Sequence, residues 1–132
     1  MSYSKEELSR YRTERAKESL EEAKILAISK HWNTTASRLY YACFYIASAY
    51  LVLNSFEAST HAGVKKIFNK ELISTKRIGA SKGLLYNKLF NLRQEADYRD
   101  FADVSQEEIE PMITEVEILI YEVIKLIETK EE

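Results

Sequence analysis

An all-α fold, an up-and-down bundle of four to five helices, is predicted by three observations on the 132-residue sequence. Only three Gly and one Pro occur, too few for a turn-rich β architecture. Apolar residues recur at spacings of three and four over long stretches, the period of an amphipathic helix. Two Ser-x-x-Glu patterns, Ser4 with Glu7 and Ser105 with Glu108, have the form of capping boxes that open the first and last of those stretches.

The first helix follows Ser4 and carries Leu8, Tyr11, Ala16, Leu20, Ala23 and Ala27 on one stripe, ending near Lys30. Asn33 or Thr34 suits the cap of the second, which runs to about Leu53 and stops at Asn54-Ser55. Ala36, Ala42, Ala47 and Ala49 on this helix permit close approach of neighbours. A third, shorter helix starts at Ser59 or Thr60 and passes through Val64, Ile67 and Phe68 to about Leu72. Ile73 to Lys82 shows no period and reads as a loop. The fourth helix spans about Ser81 to Tyr98, with Leu85, Leu89, Leu92 and Ala96 aligned. After a short connection, the last helix turns Met112, Val116, Leu119, Val123 and Ile127 inward. Pro111 lies too deep for a first-turn proline, so this helix is expected to kink or to begin later. The first and last helices carry most of the charge and belong on the outside; the second belongs at the centre.

The length suits one domain over residues 1–132, enough to close a core without disulfide or metal help. The single cysteine, Cys43, fits a reducing cytoplasm, and no basic-then-apolar leader opens the chain. The uncharged run Leu39 to Phe56 approaches the length of a bilayer span. Its Tyr40, Tyr41, Tyr45, Ser48, Tyr50, Asn54 and Ser55 favour a buried helix instead, with no membrane role.

The net charge of −2 is unevenly spread. His61 to Arg93 holds eight basic residues, Lys65 among them, against the single acid Glu71; from Phe101 onward there are ten acids and two bases. Antiparallel helices with complementary faces would account for this, and so would a basic surface for a polyanion such as RNA. Overall acidity excludes broad, non-specific nucleic-acid coating. No cofactor motif is present: Gly79 and Gly83 are too sparse for a phosphate loop, and two isolated histidines with one cysteine make no metal site.

The segments SRLYYACFY, THAGV and LRQEADY, in that order and ahead of a capped amphipathic helix, resemble the HEPN superfamily. The likeness is to its prokaryotic branch with an R-x-x-A-D-Y signature, and it covers about residues 5 to 127. The resemblance implies a helical bundle that forms a two-fold homodimer and, in many relatives, the toxin of a toxin–antitoxin pair with a small nucleotidyltransferase. Catalytic relatives are metal-independent ribonucleases, with an Arg followed after four to six residues by a His. Arg93 takes the Arg position, but Tyr98 stands where the nearest His would be, and no His follows His61. The tyrosine that antitoxins nucleotidylate in some relatives is here Asp100.

Candidate site residues follow from chemistry. Arg93 can hold a phosphate bidentately and stabilise a pentavalent phosphorus, or pair with Asp97 one turn on. Tyr98, with an ordinary pKa of about 10, can donate a proton but is a poor base. It is either a degenerate catalytic partner of Arg93 or an aromatic packed at a helix end. Arg38 is the only charged residue between His31 and Glu57, so it meets an acid of another helix or a bound anion. His61 caps or packs a helix start, or substitutes for the missing histidine. His31 favours the first helix's C-terminus. The tyrosines of the second and fourth helices are core residues or stacking platforms for bases. Arg38, His61, Lys65, Arg93 and Asp97 are therefore the candidate RNA- or nucleotide-binding set, and Arg93 with Tyr98 the candidate catalytic pair. A helical scaffold with no nucleic-acid role is the remaining alternative.

Overall fold

The computed structural model describes residues 3–98 and 104–131, with side chains described to 95 and from 104 to 129. Five α-helices make the bundle: α1 (Lys5–Ile28), α2 (Trp32–Leu53), α3 (His61–Phe68), α4 (Ala80–Tyr98) and α5 (Gln106–Glu131). A π-helical turn, Asn69–Ile73, continues α3. No strand occurs among the described residues.

The capping signals act as expected at both ends. The Ser4 Oγ accepts from the Glu7 amide at 3.1 Å, and the Ser105 Oγ from the Glu108 amide at 3.2 Å. Asn33 is not a cap, because α2 already begins at Trp32. Its Oδ1 instead accepts from the buried Val104 amide at 2.8 Å, tying the start of α2 to the segment that leads into α5. His31 occupies the cap position of α2 and closes α1 through its backbone: its amide donates to Leu26 O, and the Lys30 amide to Ala27 O, with Lys30 at φ 61°. That is a Schellman closure made without glycine. The turn after α2 repeats it, with Ser55 at φ 63° and the Ser55 and Phe56 amides on Val52 O and Leu51 O.

Pro111 neither delays nor ends α5, which starts at Gln106. The proline is exposed, so water can satisfy the carbonyl that its missing N–H leaves open. Its neighbours Ile109 and Met112 face the core with Val116, Leu119, Val123 and Ile127.

The second helix is the hub, in contact with α1, α3, α4 and α5. Leu39, Tyr40, Ala42, Cys43, Ile46, Ala47 and Leu53 are all sealed from solvent. Among the described residues no helix is long and apolar enough to cross a membrane. Most of the uncharged run is buried in the core. The seam between α1 and α2 is built from small residues: Ser9, Ala16, Ser19 and Ala23 are buried, while Tyr11, expected inside, is 61% exposed. The Ser9 hydroxyl donates to Ala49 O at 2.9 Å across that seam, a contact only a short polar side chain can make at such close approach.

Candidate functional site

Helix α2 carries a row of aromatic rings that packs toward α3 and α4. Tyr40 and Tyr41 meet edge to face at 5.1 Å, and Phe44 and Tyr45 at 5.5 Å. Tyr40 reaches Phe90 of α4 at 6.0 Å. Arg93, Arg38 and His61 rest on this row, and Lys65 rests on Phe90.

Arg93, from α4, lies half-buried with its guanidinium carbon 5.3 Å from the Tyr40 centroid and 5.2 Å from that of Tyr41. Arg38 approaches Tyr41 at 5.0 Å, so one ring holds two guanidiniums. Arg38 also meets Glu22 of α1 at 3.6 Å, the acid of another helix that its sequence position called for. Glu22 and Arg38 are both partly exposed, so this bond is weak and leaves the guanidinium able to meet a ligand.

His61 begins α3, and its ring packs on Phe44 at 4.4 Å and on Tyr40 and Tyr41 at 5.9 Å each. The THAGV segment places it there. Thr60 Oγ1 accepts from the Gly63 amide at 2.9 Å, and a Cβ at Gly63 would stand only 2.9 Å from that oxygen. Burial holds His61 below the ordinary histidine pKa, and the nearby Arg93 charge lowers it further. The imidazole is therefore neutral at pH 7 with a lone pair available.

Lys65, one turn further along α3, sits 4.9 Å over the Phe90 ring and donates to Asn87 Oδ1 at 3.2 Å. Asn69 Nδ2 donates to the same oxygen at 3.2 Å. Gly83 lets α4 come this close to the π-helical turn: a Cβ there would meet Ile73 Cγ1 at 3.1 Å and Asn69 Oδ1 at 3.2 Å.

Beneath the row the chemistry is inert. Burial pushes the Tyr40 hydroxyl up to about 12, against the opposing effect of Arg93, and raises Tyr86 and Cys43 as well. These groups stay protonated and take no part in acid–base work near neutrality.

Arg38, His61, Lys65 and Arg93 thus converge on one face. The side chains of Asp97 and Tyr98, and all of Asp100, lie outside the described residues. Two contributors escaped the sequence reading. Arg15 of α1 sits 5.2 Å over the Tyr45 ring and donates to its hydroxyl at 3.5 Å, and Arg12 lines a cleft beside it. Their three-residue spacing puts them on one face of α1, and only the packing of α1 on α2 brings that face to Tyr45. Of the basic run from 61 to 93, Lys88 faces Glu108 of α5 at 3.8 Å and Arg77 donates to the Tyr50 hydroxyl at 2.9 Å. Helix complementarity and a basic face therefore both draw on it.

An all-helical bundle whose hub helix carries a cationic aromatic face defines the class. The chain belongs to the HEPN domain family, which matches residues 9–127. It is 33% identical to a UPF0332 protein of Thermotoga maritima, over 94% of each chain. Two proteins of Methanocaldococcus jannaschii, each named "Putative toxin", are 34% and 35% identical; they cover 76% and 80% of this chain and 68% and 78% of their own lengths.

Proposed function

We propose that this protein is a toxin-like HEPN module that binds RNA on the face formed by Arg38, His61, Lys65 and Arg93, as a homodimer partnered with a nucleotidyltransferase antitoxin. One observation carries the binding reading. Residues far apart in sequence, on α2, α3 and α4, bring their charges to a single aromatic platform, with two guanidiniums on the Tyr41 ring. Guanidiniums fixed against rings lose little freedom when they take a phosphate. The toxin names of the Methanocaldococcus relatives support the toxin–antitoxin setting, and the two-fold pairing that the resemblance implies supports the homodimer.

A second reading, metal-independent RNA cleavage, is favoured by His61. A neutral imidazole beside Arg93 can take the proton of a ribose 2′-hydroxyl as its oxygen bonds to phosphorus, while Arg93 steadies the phosphorane charge. The phosphorus–5′-oxygen bond then breaks, and Tyr98 is the donor that protonates the leaving oxygen.

The test uses purified protein with mixed RNA in EDTA, comparing wild type, Arg93→Ala and His61→Ala. Binding that Arg93→Ala abolishes supports the module, and cleavage lost in both variants supports the enzyme. RNA bound equally by wild type and Arg93→Ala overturns the module, and cleavage that persists in Arg93→Ala overturns the enzyme. Co-purification with the product of a neighbouring nucleotidyltransferase gene tests the partnership.

A further inference from the structure

Next to the basic face, a cleft of about 470 Å³ opens between α1, the second half of α2 and the connection to α3. We propose that this cleft seats one base of a single-stranded RNA whose neighbouring phosphate lies on Arg93, an inference that rests on the RNA-binding reading above.

Position is the first argument. His61 and Phe44 line the cleft, and their rings are 4.4 Å apart. The same imidazole also packs on Tyr40 and Tyr41, the two rings that carry Arg93. The cleft and the guanidinium therefore adjoin one cluster of packed rings, so a ligand joining an anion to a flat heterocycle by a short linkage suits both at once.

The lining is the second argument. Phe44, Tyr45 and Phe56 provide aromatic walls, and Val52 adds an apolar side chain. Ser48 and Glu57 bring a hydroxyl and a carboxylate to the same space, and Arg12 adds a cation. Aromatic walls suit the face of any base, and the polar groups suit its edge. Glu57 and Arg12 balance in charge, which suits a neutral base within the cleft and leaves the anion to the Arg93 side. The volume lies within the ordinary range for small-ligand sites, about 300–1,000 Å³, and accommodates a base with its ribose.

The experiment measures binding of a labelled RNA trinucleotide, intact or with each residue in turn made abasic. Wild type is compared with Val52→Trp, which fills the cleft from a half-buried position, and with Phe56→Leu, which removes a ring but keeps apolar bulk. Thermal melts confirm that each variant folds. Wild type should lose about 5- to 150-fold in affinity for one of the abasic strands, the span expected for one stacked base. Both variants should bind the intact strand more weakly and discriminate less against that abasic strand. If folded variants bind and discriminate as wild type does, while Arg93→Ala still loses binding, the cleft has no such role and the RNA-binding reading stands. If uridine monophosphate alone binds as tightly as the trinucleotide, the cleft serves a free nucleotide and the proposal fails. If wild type binds no trinucleotide, both readings fall.

Discussion

The Arg93 guanidinium carbon lies 5.3 Å from the centre of the Tyr40 ring, so a cation of α4 rests on a phenol whose own hydroxyl is sealed in the core. One side chain thus serves packing below and electrostatics above. Substitutions can separate the two roles, because the ring alone supports the cation while the hydroxyl faces the interior.

Arg93→Ala should weaken RNA binding by about 10- to 150-fold, the value of roughly 1.5–3 kcal/mol for a hydrogen bond to a charged group. It should also reduce the slope of log affinity against log salt by about 0.7, the share of one phosphate on a single strand. Arg93→Lys should keep most of the salt slope and lose part of the affinity, since an ammonium cannot contact a phosphate bidentately. Fluorescence anisotropy across a salt series reads both quantities. An unchanged slope in Arg93→Ala would show that this residue touches no phosphate.

Tyr40→Phe should stabilise the fold. The Tyr40 hydroxyl is buried with no hydrogen-bond partner among the described residues, and such a group costs about 1–3 kcal/mol. The phenyl ring keeps the edge-to-face contact with Tyr41 and still carries Arg93. An increase of about 1 kcal/mol in urea denaturation is expected, with RNA affinity unchanged. The alkaline limb should change too. The folded hydroxyl titrates at about 12 and the unfolded one near 10, so Tyr40 contributes stability below about pH 10 that is lost as pH rises toward 12. Tyr40→Phe should flatten that part of the profile.

His61 supplies the acidic counterpart. Its folded pKa lies below the unfolded value of about 6.5, so the unfolded chain binds the proton more readily. The contribution is present in full above about pH 6.5. It declines as pH falls and is lost once pH passes below the lowered folded value. His61→Gln should remove this part of the acid limb, and Arg93→Ala should lessen it, because the Arg93 charge is one cause of the depression. Urea melts between pH 5 and pH 7.5 measure it, and an identical slope in His61→Gln would count against the imidazole's placement.

Much of the architecture was readable because helical signals are local. The stripe Met112, Val116, Leu119, Val123, Ile127 and the caps Ser4 and Ser105 are set by spacing alone, and each behaves as its spacing demands. The α1 seam was harder. Ser9 and Ser19 look like surface residues in sequence and are buried because α2 comes too close for larger side chains. Tyr11 is excluded for the same reason. The site was legible as a set of residues, since Arg38 and Arg93 stand out in apolar or signature contexts. Its assembly was not, because the convergence of α2, α3 and α4 depends on tertiary contacts that no period encodes. The adjoining cleft, with Arg12, could not be seen without the turn that follows α2.

Helix ends were the other blind spot, and Lys30 makes the point testable. Schellman closures normally reveal themselves by glycine, yet Lys30 and Ser55 hold the left-handed position with φ near 60°. A side chain there crowds the following carbonyl at a cost of roughly 1–2 kcal/mol. Glycine would relieve it, offset in part by the greater freedom glycine has in the unfolded chain. Lys30 is exposed, so its Lys30→Gly variant isolates the backbone effect and should gain about 0.5–1 kcal/mol in urea melts. Lys30→Ala keeps the Cβ and should show no such gain. A gain in both variants would trace the effect to the lysine's charge, and a loss in Lys30→Gly would mean that the α1–α2 turn does not require the left-handed conformation.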